Sequence, residues 1–461
     1  MAKEKYKTVP VAKGDEAEIT VENPLYGGGG VGRIQGFSVF VRGAAPGSRV
    51  ICVIEDVKKN YAAARIKNII KRSPDYIPPE CPYFGGCGGC QWLDMKYEAQ
   101  LKHKAGFVRT NIEKQREAAA PRIAEIKGAE KNKYYRNRAQ YKLSDNDGVL
   151  KMGFYRERSH EVIDVNECRI VGEKINETAR TIKEMLKTTL REKMSVYDEK
   201  THTGSLRHIC IRINKENNVL VTFVAADAGA KKVLERAASE LMEKIQGLKS
   251  VVLNINPDKG NRVFGAREII LAGEGYLKEQ VNGIKFKLAG DTFFQVNREM
   301  LKEMLDFIGK NLHQGAKLLD FYGGIGALSL PFHKTADSIL IAEINPRSIE
   351  ILNKITEENS IKNARCISGD AAKNAGKIIA DEDPDIIIFD PPRKGIHKEV
   401  IEEVKKSGVE KIIYISCDPV TFARDLKEFG EKYEIKEIQP LDLFPHTYHT
   451  ETMCFMEAKH K

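Results

Sequence analysis

A cysteine directly after an apolar run is the first candidate for chemistry in this sequence. Residues 411–415 read KIIYI, the pattern of a buried strand, and Ser416-Cys417-Asp418-Pro419 follows. In parallel sheets, ligands bind at the carboxyl ends of the strands, and a thiol placed there is a candidate nucleophile. Other apolar strands contain four cysteines that we expect in the core: Cys52, Cys210, Cys366 and Cys454.

Carboxylates end the neighbouring strands. The first strand of this region runs into Asp320-Phe321-Tyr322-Gly323-Gly324-Ile325-Gly326, a glycine-rich strand-to-helix turn that lets a cofactor approach the backbone. Glu343 ends the second strand, where an acid commonly binds a ribose diol, and Asp370 ends the third. The G-G-x-G spacing differs from that of dinucleotide sites, so the pattern favours S-adenosylmethionine over NAD. Capping of the next helix is the alternative role for each acid.

The fourth strand ends in Phe389-Asp390-Pro391-Pro392-Arg393. The prolines fix the backbone and hold Asp390 over the sheet edge, unless they only end the strand. DNA and RNA amino-methyltransferases have an aromatic residue after two such prolines, so Arg393 argues against methylation of an exocyclic amine. Near the C-terminus a last strand begins at Glu451, a candidate general base. The nearby His446 and His449 are as compatible with a structural role as with a functional one.

A second group of cysteines has the spacing of a metal or cluster site. Residues 81–92 read CPYFGGCGGCQW, so Cys81, Cys87 and Cys90 follow the pattern C-x5-C-x2-C, and Cys168 is a candidate fourth ligand. Zinc sites usually combine two C-x-x-C-type knuckles or include a histidine pair, whereas three local thiolates and a remote one are common for iron–sulfur clusters. The spacing favours an iron–sulfur cluster and leaves zinc, or no ligand, open.

Composition predicts a globular multidomain protein. The chain has 461 residues, 42% of them hydrophobic and 30% charged, and its net charge is +9. No apolar run reaches the ~18 residues of a membrane span, and no secretory signal follows the first methionine. Nine cysteines without a regular framework favour a reducing cytoplasm. The mild basic excess is compatible with a nucleic-acid partner and equally with small substrates.

Three regions with different patterns follow one another. In residues 8–68, about five short alternating strands predict a small OB-like β-barrel, whose Gly27–Gly30 loop lies beside Tyr26 and Arg33. Residues 75–285 mix strands and helices as an α+β domain, and the helical stretch 93–120 is a candidate to pack on the next domain. In residues 286–461, strands and helices alternate strictly, which predicts a Rossmann-like α/β domain with a parallel sheet.

Several motifs, in this order, resemble the RNA uracil-C5 methyltransferase family. They are Asp291-Thr292-Phe293-Phe294-Gln295-Val296-Asn297, the D-x-Y-x-G-x-G turn, DPPR, SCDP and the ending LFPHTxHxE. The chain also looks like the ribosomal-RNA branch, which adds an N-terminal TRAM barrel and a cysteine-ligated [4Fe–4S] cluster, and the match covers essentially its whole length. It departs from the family at Gly323, where many members have Cys, and at Ala327, where some have Asn.

The resemblance implies a covalent mechanism. Cys417 would add to C6 of uracil, so that C5 becomes nucleophilic enough to take a methyl group from S-adenosylmethionine, and Glu451 would then remove the C5 proton. The family's cofactor site corresponds here to Gln295, Tyr322, Glu343, Asp370 and Asp390. The same resemblance assigns the [4Fe–4S] cluster to Cys81, Cys87, Cys90 and Cys168.

The implied substrate is structured RNA. The first candidate is 23S ribosomal RNA, and tRNA is the alternative. A base within RNA must be extruded to reach such a pocket, and Phe293 is a stacking candidate for it. The stretch KNKYYRNRAQYK, with Arg136 and Arg138, is a candidate RNA contact or else one face of an exposed strand. Cytosine-C5 methylation is one alternative, but RNA enzymes of that class usually carry a Pro-Cys and a Thr-Cys motif, which this sequence lacks. An iron–sulfur RNA-binding protein without turnover is the other alternative. We expect a cytoplasmic monomer with no membrane and no obligate protein partner.

Overall fold

The computed structural model describes residues 9–115, 121–146, 148–369 and 371–459, so the predicted cofactor residue Asp370 lies outside the described residues. These residues form a six-stranded sheet, two seven-stranded sheets and a two-stranded hairpin. Within the described ranges, every helix is too short or too polar to span a membrane.

The N-terminal sheet has the strand order β1-β5-β6-β4-β3-β2. Its strands are β1 (Glu16–Thr20), β2 (Asn23–Pro24), β3 (Gly30–Ile34), β4 (Phe37–Arg42), β5 (Arg49–Val57) and β6 (Tyr61–Lys71). Alternate residues of β4 point inwards, so Phe37, Val39 and Val41 pack in one core with Cys52 and Ile54. The structure therefore contains one strand more than the five predicted, the short β2.

The central sheet has the order β13-β12-β11-β10-β7-β8-β9 and is mostly antiparallel. Its strands are β7 (Arg138–Asn146), β8 (Val149–Tyr155), β9 (Val162–Asp164), β10 (Leu206–Ile213), β11 (Val219–Ala225), β12 (Leu248–Ile255) and β13 (Arg267–Gly273). Two helices, α2 (Glu173–Lys193) and α3 (Lys231–Lys244), cover one face with residues such as Ile175 and Leu234. The other face contributes Leu220 and Val252 to the core of the C-terminal region.

Helix α1 (Tyr97–Gln115) packs on the C-terminal region. Its residues Val108 and Ile112 are buried in the same cluster as Phe389 and Phe422. The chain before this helix, which contains the first three cysteines of the predicted cluster, therefore lies close to the C-terminal region.

The C-terminal sheet has the order β18-β17-β16-β19-β20-β22-β21. The hairpin β14 (Leu277–Val281) and β15 (Ile284–Leu288) and helix α4 (Arg298–Asn311) precede it. The sheet comprises β16 (Lys317–Phe321), β17 (Ser338–Glu343), β18 (Ala364–Ser368), β19 (Ile386–Phe389), β20 (Lys411–Ser416), β21 (Tyr433–Leu441) and β22 (Glu451–Ala458). Its helices are α5 (Pro346–Glu358), α6 (Ala371–Glu382), α7 (Lys398–Lys406) and α8 (Pro419–Phe429). Strands β16 to β20 are parallel, as predicted.

One element of the predicted alternation is wrong. The glycine-rich turn after β16 was expected to open a helix, but residues 322–337, all of them described, form turns and a single 3-10 helix, Leu330–Phe332. Pro331 in the middle of this segment supplies no backbone N–H for a helix. The glycines therefore serve a tight chain reversal here.

The last strand explains why Glu451 reaches the active edge of the sheet. Strand β22 runs antiparallel to β20, with Thr452 opposite Ser416. The amino end of β22 therefore lies beside the carboxyl end of β20. The residues that lead into it, 442–450, are called the β21–β22 connection below.

A buried ion pair anchors this connection to α1. The Lys104 ammonium lies 2.5 Å from an Asp442 carboxylate oxygen and 3.0 Å from the Phe444 carbonyl, and both charged side chains are fully buried. Burial lowers the pKa of Lys104, and the Asp442 carboxylate opposes that shift. Removing one partner of such a pair leaves a buried charge without its counter-ion.

We expect Lys104→Met to lower the free energy of unfolding by roughly 3–5 kcal/mol, because the Asp442 carboxylate loses its cation. The double variant Lys104→Met/Asp442→Asn should recover much of this loss. The control is Lys354→Met, which removes an exposed pair with Glu350 and should cost about 0.5 kcal/mol or less. Urea unfolding followed by fluorescence measures all three, and equal effects of Lys104→Met and Lys354→Met would contradict the anchoring role.

Candidate active site

Five of the predicted site residues meet at one edge of the C-terminal sheet. Tyr322, Glu343, Asp390 and Cys417 lie at or just after the carboxyl ends of parallel strands β16, β17, β19 and β20, and Glu451 begins the antiparallel β22. Gln295, from the segment before α4, joins them because its side-chain amide lies 3.3 Å from an Asp390 oxygen. The edge therefore forms a crevice with a thiol and several acids.

Cys417 is held in the turn between β20 and α8. Asp418 caps α8 by accepting hydrogen bonds from the backbone N–H groups of Val420 (2.9 Å) and Thr421 (3.0 Å). Burial, followed by the charges of Glu451 and Asp390, raises the pKa of the Cys417 thiol to about 12, and the Arg393 guanidinium opposes this shift.

The charges of two acids, Glu451 and Asp390, act on this thiol; Glu451 is buried and Asp390 is half-buried. The side chain of Glu451 is 4% exposed, and its Oε1 atom has no hydrogen-bond partner within the described part of the chain. Burial, together with the charge of Asp390, raises the pKa of Glu451 well above its usual range. Burial also raises the pKa of Asp390 to about 7. These carboxyl groups therefore hold protons more strongly than ordinary surface acids, and Glu451 has an oxygen free for a ligand.

Arg393 is the cation that acts on both Cys417 and Glu451. Its Nη2 atom lies 3.2 Å from Nε2 of His449. Burial, and then the charge of Arg393, lowers the pKa of His449 to about 3, so the ring is neutral and its Nε2 can accept from the guanidinium. In the sequence, Arg393 argues against amine chemistry and His449 is open between two roles, but their separation of 56 positions gives no signal of this contact.

The two histidines of the last motif have different roles in the structure. The backbone N–H of His446 donates to the side-chain oxygen of Gln100 (2.9 Å), and its carbonyl accepts from the N–H groups of Gln91 (3.1 Å) and Trp92 (3.0 Å). His446 thus links the β21–β22 connection to α1 and to residues 81–92, called the cysteine-containing loop below. His449 faces the crevice.

The glycine-rich turn forms the second half of the crevice. Tyr322, Gly324 and Gly326 all have positive φ angles of 64°, 58° and 77°, so the chain reverses tightly after β16. One Glu343 oxygen accepts from the N–H of Gly324 (2.9 Å) and the other from the N–H of Asn345 (2.7 Å). The carboxylate of Glu343 therefore ties the turn to the next strand.

The departure at Gly323 agrees with the local packing. A Cβ atom at this position would lie 2.6 Å from Ile341 Cγ2 and 2.8 Å from the Asp320 carboxyl group. Asp320 is fully buried and accepts a hydrogen bond from Ser329 Oγ (2.6 Å), and burial raises its pKa to about 7. The turn of this chain therefore leaves no space for a side chain at position 323.

The candidate RNA-contact residues lie in three different environments. Phe293 is 60% exposed next to Thr292, whose carbonyl accepts hydrogen bonds from Arg138 (3.3 Å) and Arg212 (2.5 Å). Arg138 also lies 3.3 Å from the Cys210 sulfur, so it supports the loop of Phe293 from inside, and both Arg136 and Arg138 line the cavity of the cluster cysteines. Contact of these three residues with RNA stays a prediction.

The comparisons with known proteins agree with this geometry. The profile of the family described as tRNA (Uracil-5-)-methyltransferase matches residues 96–459, and that of the TRAM domain matches residues 10–67. An RNA methyltransferase of Halalkalibacterium halodurans is 34% identical over 458 residues, which cover 98% of each chain. One from Synechocystis is 33% identical, covering 97% of this chain and 96% of its own.

The chain belongs to the uracil-5 RNA methyltransferase family. A solved relative has the same overall fold: the tRNA (uracil-54, C5)-methyltransferase of Pyrococcus abyssi, in complex with S-adenosyl-L-homocysteine, superposes with a TM-score of 0.75 at 25% identity. The superposition covers 95% of this chain and 99% of that one. The predicted family, the N-terminal TRAM domain and the C-terminal S-adenosylmethionine-dependent methyltransferase fold are thereby confirmed.

In this family member, the four cysteines of the predicted cluster line one cavity of about 370 Å³. Three aromatic residues (Tyr83, Phe84 and Phe154) and three arginines (Arg136, Arg138 and Arg169) also line it. Burial, and then the charges of the other three thiols, raises the pKa of Cys90, and burial raises that of Cys168 to about 11. No three His, Cys, Asp or Glu side chains of the described residues are grouped as ligands of a single metal ion.

The raised pKa of Cys417 predicts a specific pH dependence of its reactivity. The thiolate is the reactive form, so alkylation of Cys417 by iodoacetamide should still rise between pH 8 and pH 10, whereas an ordinary thiol levels off above about 8.5. Mass spectrometry of the Cys417 peptide measures the rate, with the same peptide in urea-unfolded protein as control. Arg393→Gln should slow the reaction at every pH, and a plateau near pH 9 in the folded protein would contradict the burial argument.

Proposed function

We propose that this protein methylates C5 of uracil in structured RNA, with S-adenosylmethionine as methyl donor. The observation that carries the proposal is the crevice that brings the Cys417 thiol, the Glu451 carboxyl group with its unpartnered oxygen, and the Arg393 cation together. The family membership supports the same chemistry.

The glycine-rich half of the crevice fits an adenosine cofactor. Each Glu343 oxygen already accepts one backbone N–H, and a carboxylate has about four lone-pair sites, so acceptor capacity remains for ribose hydroxyls. Gln295, Tyr322, Glu343 and Asp390 would line this site, and Asp370 keeps the role that the resemblance gives it. When bound, the cofactor supplies an electrophilic methyl group, which uracil C5 accepts.

The residues of this chain perform the remaining steps. The Cys417 thiol passes its proton to the Asp390 carboxylate, and its thiolate forms a bond to C6, which leaves the Glu451 carboxylate available for the later proton transfer. Arg393 favours the negative charge that then spreads over the base. After methylation, Glu451 removes the C5 proton, the C5–C6 double bond forms again and the bond between sulfur and C6 breaks. Because burial raises the pKa of Glu451, its carboxylate is a stronger base than an exposed one, which suits this proton transfer.

We further propose ribosomal RNA as the substrate, because the chain combines the TRAM domain with four clustered cysteines as in the ribosomal-RNA branch. Transfer-RNA uridine is the alternative, and the relative from Pyrococcus abyssi, named as a tRNA methyltransferase, favours it. An iron–sulfur RNA-binding protein without turnover would have no use for the arrangement of Cys417, Glu451 and Arg393.

We also propose that Cys81, Cys87, Cys90 and Cys168 hold a [4Fe–4S] cluster. Four thiols that line one cavity suit an inorganic core held by thiolates. The loop continues into Gln91 and Trp92, whose N–H groups hold His446, so the cluster would stiffen the support of the β21–β22 connection. Its proposed role is therefore structural, since the methyl transfer involves no net change of electrons.

The proposed reaction predicts different failures for its two central residues. Cys417→Ala should abolish methyl transfer to RNA, whereas Glu451→Gln should accumulate a covalent RNA–protein adduct because the C5 proton is no longer removed. Total ribosomal RNA and tRNA from cells that lack the gene serve as substrates, 5-methyluridine is mapped in each, and a denaturing gel shows the adduct. The control Glu457→Gln changes an acid at the far end of β22 and should retain activity.

The adduct should disappear in the double variant Cys417→Ala/Glu451→Gln. Full activity of Cys417→Ala would rule out the covalent mechanism. 5-Methyluridine formed in tRNA alone would replace ribosomal RNA by tRNA as the substrate.

The cluster proposal predicts that protein purified without oxygen contains about four iron and four sulfide per chain. Cys168→Ser should lose most of both and unfold at a lower temperature, because the remote ligand closes the loop over residues 81–90. Cys366→Ser, a cysteine of β18, should retain iron and sulfide. Zinc in place of iron in the purified protein would refute the assignment.

A further inference from the structure

Tyr26 lies next to the candidate nucleophile although it belongs to the N-terminal sheet. It follows β2, and its hydroxyl lies 3.4 Å from the carbonyl oxygen of Cys417. Burial raises the pKa of Tyr26 far above neutral, so the hydroxyl keeps its proton and donates. The two residues are 391 positions apart, and this contact exists only because the N-terminal sheet docks on the C-terminal region.

A second path leads from Tyr26 to the cation of the crevice. Its ring meets that of Tyr448 edge-on at 5.0 Å, and the Tyr448 ring lies 4.2 Å from that of His449. His449 in turn holds the Arg393 guanidinium at 3.2 Å. Tyr26 therefore supports both the backbone of the nucleophile and the side chains that place the cation beside it.

The turn that carries Tyr26 is shaped for this contact. It is closed by a hydrogen bond of 2.7 Å from the Leu25 N–H to the Gly29 carbonyl. Gly27 and Gly28 have φ angles of 117° and 94°, a region that disfavours side chains. A Cβ atom on Gly28 would lie 2.5 Å from the Gln91 side chain. The glycines thus let the turn approach the cysteine-containing loop closely enough for Tyr26 to reach Cys417.

Aromatic residues from three distant segments surround Tyr26. Its ring meets Phe107 of α1 edge-on at 5.5 Å, and Phe107 stacks on Trp92 of the cysteine-containing loop at 5.9 Å. Tyr448, the third neighbour, belongs to the β21–β22 connection. Rings packed on several sides leave Tyr26 few alternative positions, so it can act as a rigid support.

We propose that Tyr26 is a positioning residue of the active site, so that the TRAM domain contributes to the chemical step itself. The side chain fixes the peptide of Cys417 and, through Tyr448 and His449, the position of Arg393. The proposal rests on the proposed function. Its physical basis is that small displacements of a reacting group are costly: a shift of about 1 Å lowers a rate by as much as 10²-fold.

We expect Tyr26→Ala to lower kcat about tenfold or more while the dissociation constants of RNA and S-adenosylmethionine change less than about twofold, since only the alignment of the reacting groups is lost. Tyr26→Phe keeps the ring contacts and loses the hydrogen bond, so its kcat should lie between those of the wild type and Tyr26→Ala. The matched control is Tyr61→Ala in the same domain, whose ring packs on Phe40 at 5.0 Å. It should leave kcat unchanged.

Two readouts separate positioning from plain packing. RNA containing 5-fluorouridine should trap the covalent complex, because C5 then carries fluorine in place of the proton that must be removed. The rate of trapping at saturating RNA and cofactor should fall in Tyr26→Ala. A fall in unfolding temperature with an unchanged trapping rate would reduce Tyr26 to a packing residue. Weaker RNA binding with an unchanged saturated rate would make it an RNA contact, and either result overturns the proposal.

Alkylation of Cys417 by iodoacetamide distinguishes this proposal from the proposed function, because it needs no turnover. A changed rate in Tyr26→Ala but not in Tyr61→Ala supports the positioning role even if no RNA is methylated. Equal rates in wild type and Tyr26→Ala overturn it. Failure of the wild-type protein to methylate or trap any RNA would refute the proposed function alone.

Discussion

The thiol of Cys417 and the carboxyl groups of Asp390 and Glu451 are buried together in one crevice, and the guanidinium of Arg393 is the cation that acts on both the thiol and Glu451. Burial raises the pKa of each acid because a charge is poorly solvated there, and each negative charge makes the next one more costly. The crevice therefore favours states in which few of these groups are ionised at once. Such an environment suits a reaction that takes one proton from a thiol, returns charge to a leaving sulfur and passes one proton to a carboxylate.

The position of Arg393 makes this balance depend on the rest of the chain. His449, which holds the guanidinium, lies in the β21–β22 connection, and distant parts of the chain contact this connection. Helix α1 holds it through the buried pair of Lys104 and Asp442 and through Gln100. The cysteine-containing loop holds His446, and the N-terminal sheet reaches it through Tyr26. In the proposed reaction, the C-terminal sheet supplies the reacting groups, and contacts from the other two regions hold the segments that carry them.

Sequence patterns were sufficient for the features that depend on local periodicity. Each apolar run from β16 to β20 became a parallel strand, and the rule that ligands bind at carboxyl ends brought Glu343, Asp390 and Cys417 together. The helix expected after the glycine-rich turn is absent from residues 322–337, because the turn and Pro331 outweigh the alternation of strands and helices. Contacts between distant segments give no local signal in the sequence. Residue spacing predicts neither the hydrogen bond from Arg138 to the Thr292 carbonyl nor the one from Tyr26 to the Cys417 carbonyl.

The cysteines show why neighbours, more than burial, distinguish one thiol from another. Burial raises the pKa of Cys417, Cys90 and Cys366 alike, so a raised pKa alone separates neither a nucleophile from a ligand nor a ligand from a core residue. The cluster candidates line one cavity, where the charges of three thiols raise the pKa of Cys90 and that of Arg136 opposes them. Cys417 instead faces two carboxyl groups and a guanidinium, which can receive its proton and balance its charge. Under the two proposals, the same side chain would hold a cluster in one place and carry out covalent chemistry in the other, because two carboxyl groups and a guanidinium act on Cys417.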